Sequence, residues 1–120
     1  MAKQVSNDVL DAALDKIATS TSQVLCSAEP ANHAGIAAVT LGTYAMVGGD
    51  YTKADGTTSG RKTTVAAKTG NNASATGTGN HVALTDGTTL LYVTTCPAKA
   101  VTNGEPFDIS AWEIEIADPT

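Results

Sequence analysis

His81-Val82-Ala83-Leu84-Thr85-Asp86-Gly87-Thr88-Thr89-Leu90-Leu91-Tyr92-Val93-Thr94-Thr95-Cys96 is the stretch that decides the fold class. Val82 and Leu84 alternate with small or polar partners, and Asp86-Gly87 is a favoured hairpin turn. The apolar run Leu90 to Val93 then resumes on the return path. Two runs of this kind around an Asp-Gly pair specify an antiparallel hairpin.

The chain around the hairpin keeps the same idiom. Downstream, Pro97 blocks further pairing and Asn103-Gly104 marks another turn. In the last strand Phe107, Ile109 and Ala111 share one face, then Trp112, Ile114 and Ile116 share the next. A β-bulge near Ala111 would produce that phase shift. Upstream, residues 69 to 80 read as a flexible, exposed loop without an apolar anchor. Before it, Tyr51 to Ala54 and Lys62 to Ala67 flank the loop Asp55-Gly56-Thr57-Thr58-Ser59-Gly60. Ile36 to Val47 reads as one long strand, or two bent at Gly42, and Gln23 to Ser27 as the first strand.

Only the N-terminal segment has helical period. From Asn7 to Thr19 the residues Val9, Leu10, Ala13, Leu14, Ile17 and Ala18 recur at spacings of three and four. Ser6 or Asn7 is the expected N-cap, and Thr19-Ser20-Thr21-Ser22 ends the helix. A helix of about 13 residues is too short to be stable alone, so its apolar face must pack on something. Its own domain is one choice. The other is a neighbouring subunit, which makes Val9, Leu10, Leu14 and Ile17 a candidate docking face. The expectation is therefore a mainly β chain, a β-sandwich or small barrel of about six to eight short strands with one N-terminal amphipathic helix. Residues 1–22 form the helical arm and 23–120 the β domain.

Composition bounds the function. Leu, Ile, Val and Phe total 22 of 120 residues, while Ala, Thr, Gly and Ser total 57. Small side chains bury little area each, at roughly 25 cal/mol per Å², so the core is thin for its length. Such a β domain gains stability by burying surface against copies of itself, and a homo-oligomer is expected. The net charge of −5, without clustered Lys or Arg, argues against nucleic-acid binding. No apolar run is long enough for a membrane span or signal peptide, so synthesis and folding in a reducing cytoplasm are expected. Cys26 and Cys96 lie 70 positions apart and read as free thiols, with a disulfide formed after release as the alternative.

The residues that could carry chemistry are few. A Cys–His nucleophile pair from Cys26 or Cys96 with His33 or His81 lacks a recognisable oxyanion loop. The cysteine and histidine spacings match no zinc pattern. Asp50 to Gly56 lacks the alternate ligands and closing Glu of a calcium loop, and the Gly-rich 70–80 stretch lacks the Lys of a phosphate-binding loop. Glu113 and Glu115 read as a solvated strand face that discourages edge pairing. Trp112 reads as core, with a sugar-binding platform as the alternative. No enzyme, cofactor or metal is expected.

Two stretches resemble a known group. Gly79 to Thr95, and Phe107-Asp108-Ile109-Ser110-Ala111-Trp112-Glu113-Ile114-Glu115-Ile116-Ala117-Asp118-Pro119, are similar to a hairpin and a C-terminus found in small structural proteins of tailed bacteriophages. Together they cover about a quarter of the chain. The resemblance implies a virion structural protein of the capsid-decoration, head-associated or cement type. Its partners would then be the major capsid protein or other virion proteins, and the homo-oligomer would be a trimer, the form common in projecting virion proteins. A tail, fibre-base or receptor-binding module is the alternative place in the particle.

Overall fold

The computed structural model describes residues 4–119. It contains seven strands in two antiparallel sheets, packed as an elongated sandwich of 54 × 25 × 23 Å with one N-terminal helix. The expected class is therefore the observed one.

Helix α1 (Asn7–Ile17) starts where Ser6 Oγ accepts the Asp8 N–H at 3.0 Å. It stops where the hydroxyls of Thr19 and Ser20 donate to the carbonyls of Lys16 and Ile17, both at 2.6 Å. Such side-chain bonds occupy last-turn carbonyls that have no intrahelical partner. The first sheet has the order β2-β1-β5-β6, with β1 Ser22–Cys26, β2 Thr40–Ala45, β5 Gly77–Thr85 and β6 Leu90–Val101. The second has the order β3-β4-β7, with β3 Tyr51–Asp55, β4 Arg61–Val65 and β7 Trp112–Ile116. Leu25, Leu41, Tyr44, Val65, Val82, Leu84, Phe107 and Ile114 fill the space between them.

Four local expectations are corrected. Ile36 to Val47 is not continuous strand: Ile36–Val39 forms one helical turn, α2, and pairing begins only at Thr40. Ile36 and Val39 pack on Val24, Cys26 and Ala83, so the turn covers the outer face of the first sheet. The stretch 69 to 80 is not an unanchored loop. Ala73 is buried, Ala73 N donates to Glu105 O, and Gly77 to Asn80 belong to β5. Gly79 is required there, because a Cβ would lie 2.5 Å from Leu25 Cγ. Glycine in a strand often marks such a close approach.

Pro97 does not end pairing either. Gly79 pairs with Lys99 and His81 with Thr95, so one residue of β5 opposes three of β6. Pro97 sits in that bulge, where its missing N–H costs no ladder bond. The phase shift before Trp112 is present, since Phe107, Ile109 and Ile114 are all buried while Ala111 is exposed. Its cause differs from a bulge within one strand. Phe107 and Ile109 bond back to Asn71 and Lys68, and the chain then crosses to pair β7 with β4.

Helix α1 packs on its own domain rather than presenting a free docking face. Leu14 is 0% exposed and lies in the main core, Leu10 is buried and Ile17 is half-buried against the core. Burying two leucines stabilises the docked helix by about 1.5–3 kcal/mol each. Arg61 Nε donates to Asp11 at 2.8 Å and Lys53 Nζ to Asp15 at 2.7 Å, fixing α1 to the second sheet. Of the four candidate docking residues only Val9, 60% exposed, faces solvent.

Candidate functional site

A groove of about 520 Å³ opens along one side of the sandwich, where β6 and the segment leading into β7 face each other. Thr94 to Lys99 form one wall and Asp108 to Glu113 the other, over a floor of Leu25 and Val82. The volume falls within the range of small-molecule pockets, roughly 300–1,000 Å³. The two walls belong to different sheets, and Lys99 bridges them. Its ammonium donates to Asp108 O at 2.9 Å and to the Asp108 carboxylate. That ion pair holds the Asp108 carboxyl below its ordinary value.

Trp112 is the largest side chain on the groove. Its ring stacks on Tyr92, with centroids 5.8 Å apart, and its Nε1 donates to Gln23 Oε1 at 2.7 Å. Gln23 is completely buried in β1, so this bond ties one sheet to the other through the core. Trp112 is half-buried: its polar edge faces inward while part of the ring meets the groove. Neither the core reading nor the platform reading describes it alone.

The two cysteines are free thiols on opposite faces of the first sheet. Cys26 packs with Val24, Ile36 and Ala83 on the outer face, whereas Cys96 packs toward the main core and lines the groove. Burial raises the Cys26 pKa to about 11, with Cys96 adding to the shift, and burial also raises that of Cys96. Both therefore stay protonated at neutral pH, and a thiol in that state is a weak nucleophile. The ladder does place His81 directly opposite Cys26, but the His81 ring bonds to Asn80 Oδ1 at 2.6 Å. His33 lies elsewhere, in a short 3-10 turn beside an open depression formed with Thr88 to Leu90.

The acidic residues are engaged locally. Glu113 pairs with Lys62 at 2.6 Å, and Glu115 accepts the Thr57 N–H, closing the β3–β4 loop. Asp50 accepts the Val47 N–H and pairs with Lys68 at 3.0 Å, which together hold its carboxyl low. Asp55 pairs with Arg61. Among the described residues no group of three or more His, Cys, Asp or Glu side chains is placed to hold a metal ion. Nor is any helix among them long and apolar enough to cross a membrane.

Reading the residues alone did not find the groove. Half of its wall residues are Thr, Ala, Ser or Pro, types that carry no chemical signal, and Cys96, Trp112 and Glu113 each stand out only singly in the sequence. The arrangement is suited to surface contact: an apolar floor, a half-exposed aromatic and a polar rim. No protein-family model, no curated protein and no solved structure matches this chain.

Proposed function

We propose that this chain is a structural protein of a tailed-bacteriophage virion, decorating or cementing the capsid surface through subunit interfaces. The observation that carries the reading is a coincidence of place. Residues 79–95 and 107–119, which resemble phage structural proteins, are far apart in sequence yet meet at the groove, where 107–119 supply the whole of one wall and 79–95 add Thr94 and Thr95 to the other and Val82 to the floor. A resemblance concentrated on one surface fits a contact that such proteins share. The mechanism is interface burial: a stiff sandwich lies across a junction between capsid subunits and adds contacts that hold them together. The major capsid protein would occupy the groove, and self-association would add to the lattice of contacts.

One feature favours the alternative, a tail or receptor-binding module. The half-exposed Trp112, backed by Tyr92, offers an aromatic surface of the kind sugars stack on. Cryo-EM of purified phage particles encoding this chain separates the two places. Density for the sandwich at regular positions on the capsid shell supports decoration. Density confined to the tail or fibre base supports the alternative. Particles that contain none of the chain by mass spectrometry overturn both.

A further inference from the structure

The inner face of the second sheet changes character along its length. Successive rows across β3, β4 and β7 read Tyr51-Val65-Trp112, Lys53-Thr63-Ile114 and Asp55-Arg61-Ile116. Residues two apart in a strand share a face, so all three rows lie on the core side. Only the first is built from aromatic and aliphatic side chains alone. Helix α1 packs over the other two. Asp15 accepts from Lys53 and Asp11 from Arg61, whose second bond goes to Asp55 at 2.8 Å. Thr63, opposite Lys53 and two residues from Arg61, is completely buried, and its hydroxyl has no hydrogen-bond partner. A buried hydroxyl in that state costs free energy that contact with water would restore. The helix is thus held by Leu10, Leu14 and ion pairs over a face that water can also satisfy.

We propose that α1 is an acid-released latch: it stays docked while Asp11 and Asp15 are ionised, and protonating them undocks it and uncovers Lys53, Thr63 and Arg61. Acid neutralises the carboxylates, Asp55 included, whereas Arg61 and Lys53 keep their charge. Arg61 is then left without a counter-ion where its side chain is only 19% exposed. A partly buried cation that loses its partner favours water. The other charges around α1 do not replace the lost ones. Asp8 is exposed in the first turn, and Lys16 lies near Asp86 of the β5–β6 turn without pairing with it. The single charged side chain of β6, the other strand that α1 touches, is Lys99, which pairs with Asp108. Once released, a helix of 11 residues is too short to persist in water.

The β domain is tied so that it keeps its fold when the helix leaves. Ser20 O accepts from Tyr51 Oη at 3.3 Å, and Thr21 N donates to Thr85 O at 2.9 Å, so the chain is anchored immediately after α1. The break falls at Ala18 and Thr19. Asp50, Asp86 and Asp108 have carboxyls held below their ordinary values by their own bonds. Groups lowered in the folded state contribute above their unfolded value and lose that contribution only as pH falls through the folded one. Those bonds therefore outlast mild acidification. The apolar face of Val9, Leu10, Leu14 and Ile17 is then no longer covered by its own domain. Nothing in this contact depends on the virion reading, so either can fail alone.

Hydrogen exchange at neutral pH and at about pH 3, below the ordinary carboxylate range, tests it through protection factors corrected for the intrinsic rate. On acidification the α1 amides are expected to lose at least about 10-fold more protection than those of β1 and β5. Asp11→Asn imitates protonation and is expected to bring a loss of at least about 3-fold in α1 at neutral pH, with a smaller further loss in acid. Arg61→Met removes the cation that acid leaves unpaired, and is expected to cut the acid-induced loss to under about 3-fold. If Arg61→Met does not fold, Asp11→Asn carries the same comparison. Equal α1 protection at both pH values, a loss in step with β1 and β5, or an acid response as large in the folded variants as in the wild type would each overturn the proposal.

Discussion

The two sheets are built from the same short-strand idiom but buried differently. In the first, Gln23 to Cys26 of β1 and Val82 to Thr85 of β5 are buried without interruption. The sandwich core covers one face of these strands, and the segment carrying α2 covers the other. In the second sheet β4 and β7 alternate, and β3 is exposed beyond Tyr51. Val65, Thr63 and Ile114 point inward, while Thr52, Ala54, Glu113 and Glu115 meet solvent. Cover is thus divided between regions: β1 and β5 are covered on both faces, whereas β4 and β7 keep one face in solvent.

The sharpest test of this contrast compares Leu84→Ala with Thr64→Ala. Leu84 is fully buried at the centre of the first sheet, and its truncation is expected to cost about 2–5 kcal/mol in urea unfolding. Thr64→Ala, on the solvent side of the second sheet, should change stability by no more than about 0.5 kcal/mol. Similar losses at both positions would break the distinction. Gly79→Ala probes how tightly the first sheet is packed. The new methyl would meet Leu25, and about 1–3 kcal/mol of destabilisation is expected from overpacking.

The tie between the sheets is tested by Trp112→Phe, which keeps a ring but removes the donor to Gln23 Oε1. Leaving that buried carbonyl without its partner should cost about 1–3 kcal/mol, measured by chemical denaturation. Unchanged stability would mean the indole bond does not hold the sheets together. In the second sheet Thr63 has a buried hydroxyl without a hydrogen-bond partner. Thr63→Val removes it at nearly constant volume and is expected to stabilise the protein by about 1 kcal/mol. A loss instead would show that the hydroxyl is satisfied in solution.

The smallest effect concerns the β5–β6 turn. Asp86 accepts the Thr88 and Thr89 N–H groups and the Thr88 hydroxyl, and these bonds lower its pKa from 3.8 to about 2. Because the folded value lies below the unfolded one, the contribution is complete above about pH 4 and fades as pH falls toward 2. Thermal melts across that interval should show the wild type losing an advantage over Asp86→Ala. A constant gap between them down to about pH 2 would contradict the assigned bonds.

Legibility followed the range of the forces involved. The Asp86-Gly87 hairpin and the helix cap at Ser6 depend on residues within a few positions, and both stand where the pattern put them. Ile36 to Val39 misled because four apolar or small residues fit a strand as well as a helical turn. The choice was made by an outer sheet face that needed covering. The Gly-rich stretch misled because glycine was read as freedom, whereas Gly79 serves close approach to Leu25. The groove was invisible because its walls meet only after the chain has folded across both sheets.

Local chemistry by itself thus determined that this would be a β protein with one helix, where its tightest turn falls, and that its core would rest on few large side chains. Tertiary structure decided which face the helix buries, that the two thiols lie on opposite faces of the first sheet, and that segments distant in sequence wall one groove. The reason is physical. Turns and caps are satisfied by neighbours in sequence, but burial, pKa and edge exposure depend on which distant segments come to lie alongside.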